Sequence, residues 1–307
     1  MSNKNTFALL GLGKHADKAV IPAFKSSKLA NLEIIGTSRE YLKDCISYEL
    51  AVKSDKVDSV FITLPNSMHA EWTIKALQAG KNVICEKPLC CTLEETKSIL
   101  SAQAQSKTKL LEAFMYRYHQ QHHLVKKILA DGTIGQPRLF EAHFHYYLDD
   151  LENIRMKKEL GGGALFDVGC YLVDSCLFLF EDKINALSGS WILNNKVDEF
   201  CTATLKFESG MIANLTCGTR LPRQSSYVIY GTLGKITVRD AYKIPKNKKG
   251  LITIERTNGE KEEIFSDAMD HYQAMLDSFC SKQVFDTDNI LKRAELIEAW
   301  RRSCLST

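Results

Sequence analysis

The chain has 307 residues, 45% hydrophobic and 25% charged, values typical of a globular fold and not of a disordered or fibrous one. Its 40 basic and 37 acidic residues give a formal net charge of +3, too balanced for the clustered basic surface of a nucleic-acid-binding protein. The N-terminus lacks the apolar segment of a signal peptide, and no run of membrane-span length is expected, so we expect a cytoplasmic protein without membrane contact.

The ten cysteines form no CxxC pair and no Cys/His group at zinc spacing. We expect them to be free thiols in a reducing compartment, several of them buried, and we expect no metal site.

The first third of the chain alternates short apolar runs with segments of helical periodicity. The predicted strands are residues 7–10, 32–36, 60–64, 82–85 and 109–112. The predicted helices are residues 19–28, 69–79 and 92–104, the last with a capping box formed by Thr92 and Glu95. Such alternation indicates a parallel sheet with right-handed crossovers.

After residue 118 the pattern changes to strands separated by short turns. The predicted strands are residues 137–147, 186–193, 200–208, 211–218, 225–231, 234–239 and 251–256, and the predicted helices are 122–130, 165–177, 269–281 and 288–304. The charged run 243–249 indicates a solvated loop. The predicted fold is α/β: an N-terminal Rossmann domain, 1–118, and a C-terminal α+β domain, 119–307, with a large, mostly antiparallel open sheet.

A glycine-rich turn follows the first predicted strand. Gly11, Gly13 and Ala16 match the G-x-G-x-x-G/A fingerprint, with Lys14 and His15 between them. In that fingerprint the first glycine allows the tight turn, the second lets a pyrophosphate approach the backbone, and the small third residue allows close helix packing. The helix N-terminus then faces the phosphates. The turn therefore predicts a dinucleotide site.

The end of the second predicted strand indicates which dinucleotide is bound. An NAD enzyme usually places an acidic residue there for the ribose hydroxyls. This chain has Thr37-Ser38-Arg39, whose hydroxyl and guanidinium groups suit a 2′-phosphate. We therefore expect NADP, with NAD as the alternative if Glu40 takes the acidic role.

Five motifs in order resemble the Gfo/Idh/MocA oxidoreductase family. They are the glycine fingerprint, Thr63-Leu64-Pro65-Asn66-Ser67-Met68-His69, Glu86-Lys87-Pro88, the segment 112–119 (EAFMYRYH) and the segment 161–171 (GGGALFDVGCY). Within the family, the chain resembles the branch that contains glucose–fructose oxidoreductase, dihydrodiol dehydrogenase, xylose dehydrogenase and deoxysugar ketoreductases. The sign is Tyr171, because other branches commonly carry histidine at that position. The stretch between Arg39 and Tyr48 is shorter than the family's.

The resemblance implies a reaction in which hydride passes between nicotinamide and a carbonyl or hydroxyl carbon of a sugar or sugar nucleotide. The residues that it implies for cofactor binding, beyond Gly11, Gly13, Lys14, His15, Ala16, Ser38 and Arg39, are Thr63, Leu64, Pro65, Asn66, His69, Glu86, Lys87 and Arg117. It also implies a homodimer, or a dimer of dimers, formed through a broad apolar face of the large sheet. The sugar, the carbon and the physiological direction stay open.

Three residues are expected to carry the chemistry. Lys87 follows the fourth strand of the first domain, where ligands of open α/β sheets bind, and the family assigns to it the orientation of substrate and nicotinamide. Asp167 and Tyr171 are four residues apart and would share one helix face. Our hypothesis is that Tyr171 is the general acid in reduction, its pKa lowered by Lys87, and that Asp167 binds a sugar hydroxyl.

Other polar residues have less specific signals. Arg117 and Tyr116 fit either a pocket wall or simple packing, and Arg155, Lys157 and Lys158 fit either a diphosphate contact or a solvated loop. Metal binding by the three histidines between residues 119 and 123 is disfavoured, because that region resembles an exposed helix start. His143 and His145 share a strand face that could border the substrate cleft.

Two alternative functions fit the same motifs. A trans-dihydrodiol-type dehydrogenase would need an apolar pocket. A non-catalytic NADP-binding sensor is possible because folds host many functions, but Lys87, Asp167 and Tyr171 are all retained.

Overall fold

The computed structural model describes residues 4–39, 45–281 and 287–305. The chain forms two compact units, Met1–Met115 with His271–Ala294, and Tyr116–Asp270 with Glu295–Thr307. The predicted division assigns residues 119–307 to one domain, whereas His271–Ala294 belongs to the first unit. Residues of this segment pack against the core of the first unit, where the ring centroid of Phe279 lies 6.0 Å from that of Phe7. The functional division at residue 118 stays a prediction.

The first unit is built on a parallel sheet of six strands in the order β3-β2-β1-β4-β5-β6. The strands are β1 Asn5–Leu10, β2 Ala30–Gly36, β3 Cys45–Ile46, β4 Ser59–Ile62, β5 Asn82–Cys85 and β6 Leu110–Glu112. The strand order reverses between β1 and β4, and ligands of doubly wound sheets bind at such a point. The predicted Rossmann fold is confirmed, and β3 is an addition to the predicted strands.

Eight α-helices lie within the described ranges. They are α1 Ile21–Ser26, α2 Tyr48–Lys53, α3 Asn66–Gln78, α4 Leu93–Ser106, α5 Gln120–Ala130, α6 Cys170–Leu179, α7 His271–Ser281 and α8 Asp288–Leu305. The predicted capping box is present at the start of α4, where Thr92 accepts from the Glu95 amide and the Glu95 carboxylate accepts from the Thr92 amide. Two π-helical turns, Ala16–Val20 and Leu165–Gly169, lead into α1 and α6.

The second unit is built on an eight-stranded sheet in the order β14-β13-β12-β11-β7-β10-β9-β8. The strands are β7 Pro137–Tyr147, β8 Ile184–Asn194, β9 Val197–Phe207, β10 Ile212–Gly218, β11 Arg220–Gly231, β12 Gly234–Arg239, β13 Gly250–Arg256 and β14 Lys261–Ser266. Among the neighbouring pairs of this sheet only β7 and β10 run parallel. The predicted, mostly antiparallel sheet is confirmed, and β14 is a strand that the sequence analysis missed.

The two faces of this sheet differ in composition. On one face the side chains of β9 and β10 are fully or almost fully buried, as at Cys201, Leu205 and Leu215. The alternating residues on the other face are mainly polar and more exposed: Thr202, Thr204, Lys206, Ile212, Asn214 and Thr216. The broad apolar face expected from the sequence is therefore not found on these two strands.

One segment, Lys158–Leu179, has the length and hydropathy that a membrane-spanning helix would need. No such run was expected from the sequence. The segment contains α6, and 78% of its apolar window is buried inside the protein. This burial is that of a core helix, and α6 packs against β7 and β10.

A buried ion pair holds the C-terminal helix to the first sheet. Arg293 of α8 donates to Glu112 at the end of β6, with Nε 2.9 Å and Nη2 2.5 Å from Oε2, and both side chains are about 5% exposed or less. The other Glu112 oxygen accepts from the Leu89 amide at 2.9 Å. Glu112 thus supports the turn that follows β5.

Replacing Arg293 with Ala should cost about 3–5 kcal/mol of unfolding free energy, because Glu112 would keep a buried charge without its cation. Urea denaturation measures this loss. The matched control is Arg302→Ala, which removes an exposed i,i+4 pair with Glu298 and should cost no more than about 1 kcal/mol. Equal losses in the two variants would contradict a structural role for the buried pair.

Candidate active site

The glycine-rich turn after β1 has the shape that a dinucleotide needs. Gly11 has a φ of +99°, and a Cβ there would lie 3.1 Å from the Thr63 carbonyl oxygen. At Gly13, no described atom lies within 4 Å of the position of a Cβ, so the backbone is open to a close approach. Lys14 and His15 are exposed, and Ala16 is fully buried at the start of the π-helical turn.

Side chains from the neighbouring loops hold this turn in place. The Thr63 hydroxyl lies 2.8 Å from the Gly11 carbonyl oxygen and 3.1 Å from that of Leu10. His69, in the first turn of α3, lies 2.7 Å from the Pro88 carbonyl and 2.8 Å from the Leu64 carbonyl. Burial lowers the pKa of His69, although both carbonyls oppose that change. His69 therefore joins the loop after β4 to the loop after β5.

A third connection joins the glycine turn to the loop after β5. His15 Nε2 lies 3.0 Å from Glu86 Oε1, and the Tyr272 hydroxyl lies 2.9 Å from that nitrogen and 3.1 Å from that oxygen. Burial by itself would raise the pKa of Glu86, but the charge and hydrogen bond of His15 lower it overall. Tyr272 comes from α7, and the sequence analysis missed it because no local motif marks it.

The remaining predicted cofactor residues lie at the same edge of the sheet. Ser38 and Arg39 follow β2 and are exposed, and the Arg39 amide donates to Thr37 Oγ1 at 3.1 Å. The alternative ribose contact, Glu40, lies outside the described residues. Pro65 and Asn66 begin α3 after β4. Lys87 is half-buried after β5, and its peptide bond to Pro88 is cis.

In the second unit, Asp167 lies at the centre of a polar cluster. The Tyr146 hydroxyl donates to one carboxylate oxygen at 2.5 Å, and Arg155 Nε lies 3.0 Å from the other. The charge of Asp167 raises the pKa of Arg155, and burial together with Asp167 raises that of Tyr146. Arg155 therefore pairs with Asp167, while Lys157 pairs with the exposed Glu152 at 3.1 Å.

Tyr171 is 1% exposed and lies in an aromatic cluster. Its ring centroid is 5.3 Å from that of Phe144, 5.7 Å from Tyr242 and 5.9 Å from Tyr116. The predicted helix is present, but its first turn is π-helical, so the prediction of a regular helix from residue 165 is wrong there. Gly169 lets the π-helical turn pack closely against β10, since a Cβ there would lie 2.9 Å from Cys217 Sγ. π-Helical turns are frequent at functional sites.

Arg117 has a partner that the sequence analysis did not identify. Its Nε and Nη2 lie 2.8 and 2.7 Å from the carboxylate of Asp174, which is fully buried in α6, and the Tyr116 hydroxyl donates to the same carboxylate at 2.6 Å. The sequence signal that could have identified this partner is that Asp174 is the single acidic residue of an apolar helix. A cofactor contact of Arg117 stays a prediction.

One histidine prediction is wrong. His119 and His122 are fully buried, so the region is not an exposed helix start; His122 lies 2.9 Å from the Tyr227 hydroxyl and 2.8 Å from the Ala241 carbonyl. His143 and His145 share one face of β7, opposite to Tyr146, because side chains alternate along a strand, and their place beside a substrate stays a prediction. Within the described ranges no His/Cys/Asp/Glu group could hold a metal.

The doubly wound parallel sheet and its open glycine-rich turn are those of a dinucleotide-binding protein. The chain belongs to the GFO/IDH/MocA family. Residues 6–114 match the model described as an oxidoreductase family with an NAD-binding Rossmann fold, and residues 122–237 match the model of the GFO/IDH/MocA C-terminal domain.

Relatives and solved structures agree with this assignment. A dTDP-3,4-didehydro-2,6-dideoxy-alpha-D-glucose 3-reductase of Saccharopolyspora spinosa is 30% identical, covering 88% of this chain and 85% of the relative. An NADP(+) D-xylose 1-dehydrogenase of Haloferax volcanii is 28% identical, covering 89% and 87%. A 3-ketoreductase from Actinomadura kijaniata, solved with NADP and TDP-benzene, matches with a TM-score of 0.89, 26% identity and 98% coverage of both chains.

Replacing Tyr272 with Phe should weaken dinucleotide binding about tenfold, because the hydroxyl bonds to both His15 and the charged Glu86 and so helps to hold the glycine turn. Titration of the purified protein by nicotinamide fluorescence measures the affinity. Tyr147→Phe, at an exposed tyrosine of the second unit, is the control and should bind as the wild type does. An unchanged affinity in Tyr272→Phe would contradict the proposed support of the turn.

Proposed function

We propose that this protein is an NADP-dependent oxidoreductase that transfers a hydride between nicotinamide and a carbonyl or hydroxyl carbon of a sugar or sugar nucleotide. The observation that carries the proposal is the joint presence of the dinucleotide turn, Lys87, and a helix on which Asp167 and Tyr171 occur together. The relatives named above include a deoxysugar-nucleotide 3-reductase and an NADP(+) xylose dehydrogenase, which support a sugar substrate.

The choice of NADP rests on the end of β2. Ser38 and Arg39 are exposed there, beside the switch point of the sheet. A guanidinium and a hydroxyl can both donate to a 2′-phosphate, whereas the ribose hydroxyls of NAD favour a carboxylate. The solved 3-ketoreductase was crystallised with NADP.

Replacing Arg39 with Ala should weaken NADPH binding about tenfold and leave NADH binding nearly unchanged, because only NADPH carries the phosphate that the guanidinium would bind. Fluorescence titrations with both dinucleotides measure the two affinities. Lys25→Ala, at an exposed lysine of α1, controls for a general loss of positive charge. A similar weakening of NADH and NADPH would contradict the phosphate contact.

The protein's own residues bind and orient the substrate and move one proton. When bound, NADPH supplies the hydride that reduces the carbonyl carbon. We propose that Tyr171 gives its hydroxyl proton to the developing alkoxide, that Lys87 orients the reacting carbon, and that Asp167 accepts a hydrogen bond from a substrate hydroxyl. In the structure Asp167 already accepts from Tyr146 and Arg155, which fix its two oxygens in place.

Replacing Tyr171 with Phe should lower kcat at least about a hundredfold while NADPH affinity is unchanged, because the ring is kept and only the proton donor is lost. Steady-state kinetics with a keto-sugar, together with NADPH titration, measures both. Tyr242→Phe removes another buried hydroxyl in contact with the same ring cluster and serves as the control. Near-normal turnover in Tyr171→Phe would contradict the assignment.

The function itself is tested by a substrate screen. Purified protein with NADPH is offered keto-sugars, free and linked to nucleoside diphosphates, and NADPH consumption is followed. Turnover of either class supports the proposal and identifies the substrate. Turnover of aromatic dihydrodiols with NADP alone would favour the dihydrodiol dehydrogenase alternative, and dinucleotide binding without any turnover would favour a sensor.

We also propose that the protein is cytoplasmic and forms a homodimer, or a dimer of dimers, through the more exposed face of the eight-stranded sheet. That face carries isolated exposed apolar side chains among polar ones, including Ile192 and Ile212. Mixed composition of this kind occurs in many protein–protein interfaces. A monomer mass by light scattering at micromolar concentration would contradict the dimer.

A further inference from the structure

The helix that carries Asp167 and Tyr171 has no side-chain cap of its own. Its N-cap residue is Ala164, which has no capping hydrogen bond. A carboxylate from a neighbouring strand takes that place: Asp198 Oδ2 of β9 accepts from the Leu165 amide at 2.7 Å. The same oxygen lies 3.2 Å from the Cys201 thiol. An anion at this end of a helix is stabilised by the helix dipole and by the unpaired amides.

The backbone before the helix is shaped around this carboxylate. Gly163 has a φ of +119°, and a Cβ there would lie 2.1 Å from Asp198 Oδ1. A side chain at residue 163 would therefore be excluded both by the conformation and by the carboxylate. The Gly163 carbonyl accepts from the Asp167 amide at 2.9 Å. Asp198 thus contacts Gly163, and the carbonyl of Gly163 accepts the hydrogen bond from the main-chain amide of Asp167.

An irregularity in strand β9 explains why Asp198 points toward the helix. On β8, the adjacent residues Ile192 and Leu193 pair with Phe200 and Asp198, so Glu199 is an extra residue in β9. Such a bulge reverses the alternation of side chains and can direct one toward a functional site. Burial raises the pKa of Asp198, while its hydrogen bonds from Leu165 and Cys201 oppose this change.

We propose that Asp198 is a positioning residue for the reaction: its carboxylate fixes the first turn of the Leu165–Leu179 helix and thereby the places of Asp167 and Tyr171. This inference rests on the proposed function for the roles of those two residues. Small displacements of reacting groups cost large factors in rate, so the effect should appear in turnover as well as in stability.

The test compares Asp198→Ala and Asp198→Asn in the full-length protein, with Glu199→Gln as the matched control. Glu199 is the bulge residue beside Asp198, and its carboxylate accepts from the Asn194 amide group at 3.2 Å. In Asp198→Ala we expect kcat to fall between about tenfold and a hundredfold, with NADPH affinity within about twofold of the wild type. Asp198→Asn keeps an acceptor oxygen for Leu165 and should recover most of kcat. Glu199→Gln should behave as the wild type does.

Amide hydrogen exchange supplies a readout that does not depend on activity. Peptides covering residues 161–171 should exchange faster in Asp198→Ala and at nearly the wild-type rate in Asp198→Asn and Glu199→Gln. Unchanged exchange in Asp198→Ala, or a lower melting temperature with kcat within about threefold of the wild type, would overturn the proposal. If the wild type turned over no sugar, the proposed function would fail, while exchange would still decide whether Asp198 holds the helix.

Discussion

The first unit depends on the parallel alignment of its strands, which places every strand's carboxyl end, and the loop that follows it, at the same edge of the sheet. Loops at such an edge contain backbone groups without ladder partners, and here side chains satisfy several of them. Thr63 bonds to a backbone carbonyl of the glycine turn, and His69 bonds to carbonyls of two further loops. The side chains of Glu86 and His15 add a further link between loops. The dinucleotide turn is therefore held by a connected network and not by its glycines alone.

In the second unit the recurring feature is a buried or half-buried aspartate with dedicated donors. Asp174 accepts from Tyr116 and Arg117, and Asp167 lies between Tyr146 and Arg155. A buried carboxylate without such donors would be strongly destabilising, so each aspartate restricts the elements around it. The cluster around Asp167 orients a polar group on the face of the sheet that packs against the helix.

Local patterns made most of the fold predictable. The fingerprint at Gly11, the capping box at Thr92 and the alternation of β7 each depend on residues close in sequence, and each was correctly placed. Strand β14 was missed because its exposed, charged residues show little hydrophobic alternation. The burial of His119 and His122 was missed because polar residues give no local sign of partners such as Tyr227, which lies 105 positions further along the chain.

The motifs of the candidate site could be predicted from the sequence, whereas the residues that hold those motifs in place could not. Glu86, Lys87, Asp167 and Tyr171 were predicted as site residues from short motifs that resemble the family's, and their roles stay predictions. Tyr272 and Asp198 were not, because their hydrogen bonds to His15 and to the Leu165 amide depend on the packing of distant segments. Asp174 had a local signal, since it is the single charged residue in α6, but its partners were visible only in the structure.

The most direct test of the proposed hydride transfer follows the transferred hydrogen from NADPH to the sugar. The protein would be incubated with a keto-sugar or its nucleoside-diphosphate derivative and NADPH carrying deuterium at nicotinamide C4, on one face at a time, and the product analysed by mass spectrometry and NMR. If the protein transfers hydride to a sugar carbonyl, one face delivers deuterium to the new carbinol carbon of the sugar. A reduced sugar without deuterium from either face, or no product from any sugar while NADPH is bound, would contradict hydride transfer to a sugar carbonyl.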